Sequence, residues 1–175
     1  MRAAVAIQLS LLLAHGATAR AQAEPNYVSS ALLSGGQMAI TLGLLMAVPP
    51  DNWSSGSVPQ WSQFKRSWTG APVWADGDHW VTNYLGHPLQ GSQFYLFART
   101  NDQGRLGGFV SATVATLAWE YLFEAWFEQP SWPDLLITST TGALLGEARF
   151  LARNAILANG TPDLLGQLAL LLVDP

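Results

Sequence analysis

Small residues recur every four positions along two apolar segments of this chain. This spacing restricts the possible folds more than any other feature of the sequence. Gly108, Ala112 and Thr116 form one series, and Gly142 and Gly146 form a G-x-x-x-G pattern in the other. Residues four apart share a helix face, and small side chains there let two helix backbones approach closely. Because the link between the two segments is short, we predict that they form an antiparallel hairpin at the core of a bundle.

The rest of the sequence also predicts helices, since alternation of period two, which marks a half-buried strand, is not sustained anywhere. Helices are predicted at residues 31–48, 78–99, 108–128 and 132–157, and a final short apolar helix at residues 161–173. We therefore predict an all-α fold, a small bundle of apolar, closely packed helices with a proline-kinked helix and a Trp-rich irregular segment at residues 51–77.

Two apolar segments leave alternatives open. Residues 31–48 carry no charge, and their length is near the lower limit for crossing a bilayer. We interpret them as a helix buried in protein or dipping into lipid, with a true membrane span as the alternative. In the irregular segment, Trp61, Phe64 and Trp68 lie on one face of a short helix. Such a face is typical of a membrane interface, or of a flap whose tryptophans cover the core.

A Gly-His-Pro sequence interrupts the helix predicted at residues 78–99. Pro88 has no N–H and clashes with the carbonyl of Tyr84, and it disfavours the α conformation for His87. We therefore expect the break to open a polar notch lined by the His87 ring. The alternative is a core histidine beside a proline kink, with its hydrogen bonds satisfied.

Three carboxylates lie at i, i+4 and i+8 in an otherwise apolar helix. Like charges at this spacing repel, so the stripe must face water or a polar interior site. We predict water for Glu128 and an interior site for Glu120 and Glu124. The candidate partners are histidine and arginine side chains: His87, Arg99, Arg149 and Arg153.

Other polar residues call for a local explanation. Glu147 lies inside an apolar run, so its carboxyl group must be paired or have a shifted pKa. Asp76 and Asp78 form a D-x-D pattern, which can hold a divalent cation but which we interpret as a helix cap. Ser131 and Asp134 match the S-x-x-D pattern of a helix start.

The first residues predict export. Residues 1–23 resemble a cleaved signal peptide: Arg2 precedes a short apolar core, and the sequence AQA fits the small-x-small cleavage rule. The mature chain, residues 24–175, is then a single helical envelope domain. The alternative is an N-terminal membrane anchor. Because the chain has no cysteine, an exported form depends on packing alone for its stability.

The composition and the absence of known motifs limit the partners and cofactors that are expected. Only 11% of residues are charged and eight are tryptophan, which indicates contact with membrane lipid or an integral membrane protein. The few basic residues form no stripe, so nucleic acid is not expected as a partner. The sequence has no nucleophile elbow, P-loop or H-E-x-x-H motif. We therefore predict no cofactor and no metal from motifs.

Several segments resemble the bacterial domain of unknown function 3943 family: NYLGHPLQGSQFYLFAR, WEYLFEAWFEQPSWPDLLIT and GALLGE. The resemblance covers about residues 74–147 and implies an exported, envelope-associated protein, without a known chemistry. The sequence departs from the family pattern at Ser139-Thr140, where Thr-Pro is expected. The polar positions that the resemblance carries over are Asp78, Asn83, His87, Arg99, Glu120, Glu124, Glu128, Asp134 and Glu147.

Two hypotheses for function follow. The first is a structural or accessory module on the periplasmic face of the envelope that docks on lipid or a membrane partner. The second is a hydrolase or transferase for envelope lipid with three catalytic groups, His87, Glu120 and Glu124. An enzyme requires His87 to lie near a carboxylate and open to a cleft. The predicted polar pocket around these groups comprises Asp78, Asn83, Arg99, Asp134, Glu147 and Arg149.

Overall fold

The computed structural model describes residues 24–47, 59–158 and 160–174, so the predicted signal peptide lies outside the described part. The described residues form six α-helices and no strand, which confirms the predicted all-α bundle. The helices are α1 (Tyr27–Ala47), α2 (Trp61–Thr69), α3 (His87–Thr100), α4 (Arg105–Ala118), α5 (Trp132–Leu157) and α6 (Leu164–Val173). Three shorter turns accompany them: two π-helical turns, Thr82–Gly86 and Trp119–Phe123, and a 3₁₀ turn, Glu124–Trp126.

Helix α3 lies at the centre of the bundle and packs closely on α5. A Cβ at Gly142 would lie 2.8 Å from the Cα of Gly91, and one at Gly146 would lie 2.7 Å from the Cβ of Tyr95. Gly108 of α4 faces the other side of the Tyr95 ring. Helices α4 and α5 pack on each other as the predicted hairpin requires, but the close contact through small residues is wrong in its partner, because the glycines of α5 and of α4 both approach α3.

The start of α5 is fixed by a cap and by a short backbone bridge. The backbone N–H of Asp134 donates to the Ser131 hydroxyl at 3.2 Å, as the S-x-x-D pattern predicts. Val73 donates its N–H to the carbonyl of Pro130 at 2.9 Å and accepts from the N–H of Trp132 at 2.8 Å. These bonds hold the segment that contains the D-x-D pattern beside the first turn of α5.

The Gly-His-Pro sequence does not interrupt helical geometry. His87 has φ −60° and ψ −46°, so the expectation that Pro88 moves it out of the α region is wrong. Pro88 lies in the first turn of α3, where a missing N–H costs little. The preceding turn is π-helical, and the His87 N–H donates to the carbonyl of Thr82. This wider turn accommodates the proline and keeps the His87 side chain inside the bundle.

Helix α2 covers the 3₁₀ turn that follows α4. The Phe64 ring stacks on the Trp126 ring with centroids 4.5 Å apart. The buried Ser67 hydroxyl is within hydrogen-bond distance of the carbonyls of Ala125 and Glu128, at 3.3 and 3.0 Å. The aromatic face of α2 is therefore divided: Phe64 packs against the bundle, as expected of a flap, whereas Trp61 and Trp68 are 58% and 54% exposed.

One described helical stretch, Arg105–Trp126, is long and apolar enough to cross a membrane, by length and composition alone. The core helix of a soluble protein meets the same criterion. This stretch carries the buried Glu120 and packs on α3 through Gly108, so we describe it as a helix of the bundle.

Candidate functional site

Six carboxyl groups from three parts of the chain lie around His87 at one end of α3. Two come from the segment before the first π-helical turn, three from the end of the α4 region, and one from the first turn of α5. We call this group the acidic cluster: Asp76, Asp78, Glu120, Glu124, Glu128 and Asp134. Each π-helical turn contributes to the site, since one leads into His87 and the other carries Glu120. Such turns occur often at functional sites.

The most enclosed part of the site contains His87, Glu120 and Asp134. Their exposed fractions are 3%, 1% and 2%. Their nearest ligand-type atoms all lie within 4.8 Å of one another. Nε2 of His87 is 3.6 Å from Oδ1 of Asp134, and neither ring nitrogen of His87 has a hydrogen-bond partner. Buried imidazole and carboxyl groups ordinarily form hydrogen bonds. The three groups converge here, yet each keeps at least one buried polar atom without a hydrogen-bond partner.

Asp134 and Asp76 are held in place by hydrogen bonds. The Ser131 hydroxyl donates to the second carboxyl oxygen of Asp134 at 2.5 Å. Asp76 accepts from the backbone N–H of Asp78 at 2.8 Å and from the amide of Asn83 at 3.3 Å. Although burial acts to raise the pKa of Asp76, these hydrogen bonds lower it overall. Hydrogen bonds therefore orient the carboxyl groups of Asp76 and Asp134 at the rim of the cluster.

The three glutamates contact one another in sequence. Burial, and then repulsion from neighbouring carboxylates, raises the pKa of Glu120 and of Glu124 well above the usual value. Burial and the charge of Glu124 raise the pKa of Glu128 to about 10. Hydrogen bonds between the carboxyl groups join Glu120 to Glu124 and Glu124 to Glu128. The expectation that Glu128 faces water is wrong, because α2 covers this turn and leaves the carboxyl group partly buried.

Burial also shifts the two groups nearest the centre. It lowers the pKa of His87 to about 4, so the imidazole is neutral at pH 7. Burial, together with the hydrogen bond and the charge of Asp76, raises the pKa of Asp134 to about 7, although the hydrogen bond from Ser131 acts in the opposite direction. A neutral imidazole offers a lone pair to a proton, a hydrogen-bond donor or a metal ion.

Basic side chains within the described residues pair elsewhere. Arg99 and Arg105 both donate to Glu147, at 2.9 and 2.8 Å, and the Tyr95 hydroxyl donates to it at 2.9 Å. Arg153 pairs with Asp174. In the described part of the chain, no lysine or arginine forms an ion pair with the three glutamates of the cluster or with Asp134.

An open cavity of about 1070 Å³ begins at the acidic cluster and runs along α3. His87 and Glu124 lie in its wall, and so does Arg149, whose guanidinium donates to Ser92 and Gln93. His87 and Gln93 are six residues apart on α3, which places the two polar ends about 9 Å apart. Most of the wall between them is apolar, with contributions from α1, α3, α5 and α6: Leu32, Leu33, Ile40, Leu89, Phe97, Leu145 and Leu172.

A family model for the domain of unknown function DUF3943 matches residues 71–175, well over half of the chain. The chain belongs to the DUF3943 family. The matched region contains the whole acidic cluster and all of the cavity wall except the part that α1 provides. No curated protein and no solved structure matches the chain.

The structure of this DUF3943 chain brings some of the predicted site residues together and separates others. Those that converge are His87, Glu120, Glu124, Asp78, Asn83 and Asp134. Arg99 and Glu147 pair with each other away from the cluster, and Arg149 lies at the far polar end of the cavity. The catalytic role of His87, Glu120 and Glu124 stays a prediction.

Sequence reasoning did not place Asp76 and Glu128 in the site. Asp76 enters it because the Val73 bridge fixes its segment beside α5. The only sequence signal was the D-x-D pattern, which a helix cap explains equally well. Glu128 enters it because α2, which lies far away in sequence, covers its turn.

Proposed function

We propose that this protein works at a membrane surface of the cell envelope as a hydrolase or transferase whose substrate is an amphiphilic lipid. One observation carries the proposal: His87 and Glu124 lie in the wall of a long, mostly apolar cavity. A concave apolar site with a few convergent polar groups is the usual form of a small-molecule site. Its length along α3 fits an extended alkyl chain better than a compact polar substrate.

The proposed orientation of the substrate follows from the two ends of the cavity. The alkyl chain lies against Leu89, Phe97 and Leu145, and the reacting bond lies beside the acidic cluster. Hydrolysis or transfer requires a group that takes the proton of the attacking water or hydroxyl and a group that protonates the leaving oxygen. Glu124 faces the cavity, and its raised pKa favours the protonated form, so it is placed to protonate the leaving oxygen. The neutral imidazole of His87 lies in the same wall and is placed to take the proton of the attacking water or hydroxyl.

Exposed apolar side chains support the proposed location at a membrane. Helix α6 has no buried residue, although six of its ten residues are leucine. Single exposed apolar residues are ordinary, but a contiguous apolar helix surface marks contact with lipid or protein. The exposed leucines of α6 are Leu164, Leu165, Leu168, Leu171 and Leu172.

A structural or accessory module that docks on lipid or on an integral membrane protein is the second candidate. The same surface of α6 favours it, because docking needs an apolar patch and no reactive group. The two candidates differ in what they require of the acidic cluster. Docking makes no use of His87 or Glu124, whereas the proposed enzyme depends on both.

Lipid turnover separates the two candidates. The purified chain is incubated with vesicles made from the lipids of its own envelope, and the lipids are followed by liquid chromatography and mass spectrometry. We expect one lipid class to be consumed with time and the rate to fall by about 100-fold or more in Glu124→Gln. Glu24→Gln, a change to an exposed glutamate, should keep the wild-type rate. If no lipid is consumed, or if Glu124→Gln keeps the full rate, the enzyme proposal is wrong.

A further inference from the structure

We propose that the acidic cluster binds a divalent transition-metal ion, with His87, Glu120 and Asp134 as its protein ligands. The inference concerns the same site as the proposed function and goes beyond it, because metal binding can be measured in the absence of lipid and of turnover. No sequence motif predicts this site. Its ligands come from three separate elements: the start of α3, the π-helical turn after α4, and the first turn of α5.

The geometry of the three ligand atoms supports the proposal. One nitrogen of His87 and one carboxylate oxygen each from Glu120 and Asp134 lie within 4.8 Å of one another. Two ligand atoms bound to one ion at about 2.1 Å lie at most about 4.2 Å apart. Three atoms that share such an ion lie about 3.0–3.6 Å apart, so side-chain movements of up to about 1 Å would bring all three into coordination distance.

The hydrogen-bonding state of the same atoms points to a ligand independently of their charge. His87 is almost fully buried, yet both of its ring nitrogens lack a hydrogen-bond partner. Oε1 of Glu120 and Oδ1 of Asp134 are also buried and lack one. An unsatisfied buried polar atom costs free energy, so four such atoms on three neighbouring side chains call for a ligand at the point where the three side chains meet. A cation at that point satisfies the two oxygens and one of the two ring nitrogens.

The charge of the surroundings favours a cation. No lysine or arginine in the described part of the chain pairs with the ligand carboxylates, and Glu124 and Glu128 place further carboxyl oxygens beside them. Buried carboxylates are stable when they are protonated, paired or bound to a metal.

The donor set indicates which ions fit. One imidazole with several carboxylate oxygens suits Mn²⁺, Fe²⁺ or Zn²⁺, whereas Mg²⁺ and Ca²⁺ prefer oxygen donors alone. Asp78 and Glu124 also lie within 4.8 Å of His87 in a second group of ligand-type atoms. This group borders the cavity through Glu124, so an ion in the cluster would lie close to the head group of a bound substrate.

Metal titration of the purified chain tests the proposal. After treatment with a chelator and its removal, Mn²⁺ and Zn²⁺ are titrated separately by calorimetry, and Mn²⁺ binding is also followed by electron paramagnetic resonance. We expect one bound ion per chain. His87→Gln and Asp134→Asn should weaken the affinity by more than about 100-fold, since loss of an outer-shell partner alone costs 10- to 100-fold. His79→Gln removes an exposed histidine and should leave the affinity unchanged.

The outcomes distinguish this proposal from the proposed function. Circular dichroism establishes that each variant folds, and Glu120→Gln, which keeps the side-chain shape, provides a further ligand variant. Absence of one-to-one binding in the wild type, or wild-type affinity in folded His87→Gln and Glu120→Gln, overturns the metal site. Lipid turnover that continues in fully chelated protein also overturns a catalytic metal and leaves the proposed function standing. Metal binding without lipid turnover overturns only the proposed function.

Discussion

Nε2 of His87 and Oδ1 of Asp134 lie 3.6 Å apart in the interior of the bundle, and neither atom has a hydrogen-bond partner. The distance is too long for a hydrogen bond, and the low pKa of His87 leaves its ring without the charge of an ion pair at neutral pH. A fold that relied on this pair for stability would bring the atoms closer or separate them by apolar packing. Their arrangement instead fits a site that receives a proton, a substrate or an ion.

Glu120→Gln should stabilise the metal-free protein. Burial, and then the charge of Asp134, raises the pKa of Glu120 above its ordinary 4.5, so folding loses free energy once the pH exceeds 4.5. The amide keeps the shape without the charge. We expect the free energy of unfolding in urea, with chelator at pH 8, to rise by about 1–2 kcal/mol. A decrease would mean that the carboxylate has a stabilising partner in the metal-free fold.

The ion pairs and hydrogen bonds of Glu147 should make the free energy of unfolding depend on pH. Burial acts to raise the pKa of Glu147, but the hydrogen bonds from Arg99, Arg105 and Tyr95 lower it overall. Its contribution is therefore present above the unfolded pKa of 4.5 and is lost as the pH falls through the lower folded value. We expect Glu147→Gln to lower the free energy of unfolding by about 1–3 kcal/mol at pH 7.

Urea unfolding at two pH values checks this dependence. The difference between wild type and Glu147→Gln should shrink markedly at pH 3, because the carboxyl group of the unfolded wild-type chain, with its pKa of 4.5, is then protonated. An equal difference at pH 7 and pH 3 would contradict the ion-pair account of Glu147 and would point to a packing effect of the substitution.

The contact between α3 and α5 should not tolerate even one added methyl group. A Cβ at Gly142 would meet backbone atoms of Gly91 at 2.8 Å, and backbone cannot move aside as a flexible side chain can. Gly142→Ala should lower the free energy of unfolding by about 1–3 kcal/mol. Gly35→Ala is the matched control, since nothing lies within 4 Å of its Cβ, and it should raise stability by up to about 1 kcal/mol. Equal effects of the two changes would contradict the packing described.

Helix α6 should carry much of the affinity for membranes. Leu165 is 75% exposed, and burial of one leucine in lipid contributes about 1.5–3 kcal/mol. We expect Leu165→Glu to reduce co-sedimentation with lipid vesicles by about 10-fold or more. Thr140→Glu introduces the same charge at an exposed position of α5 and should change it little. Unchanged sedimentation of Leu165→Glu would exclude this face of α6 as the docking surface.

Local sequence patterns predicted most of the helices, because caps and apolar periodicity act within a few residues. The start of α5 at Trp132 follows from Ser131 and Asp134 in this way. The effect of Pro88 was predicted wrongly, because a π-helical turn before it accommodates the proline. No local sequence pattern predicts such a turn. Gly142 and Gly146 marked a close helix contact, but spacing does not identify the partner, and the partner is α3 rather than α4.

The site was predictable only where burial could be inferred from the helix itself. Glu120 and Glu124 stood out because all residues between them are apolar. Arg99 and Glu147 were assigned to the same pocket on charge alone, whereas the structure pairs them with each other. Convergence of Asp76 depends on a bridge between distant segments, and such contacts leave no trace in the sequence of either segment.

The claim that the cavity and the acidic cluster form one lipid site is tested most directly by photo-crosslinking. A phospholipid with a diazirine at the end of its acyl chain is bound to the purified protein and irradiated, and the labelled residues are mapped by tandem mass spectrometry. The account predicts adducts on the cavity wall at Leu89, Phe97 and Leu145. Adducts confined to the exposed face of α6, at Leu164, Leu165 and Leu168, would contradict it and would leave a protein that docks on lipid without enclosing it.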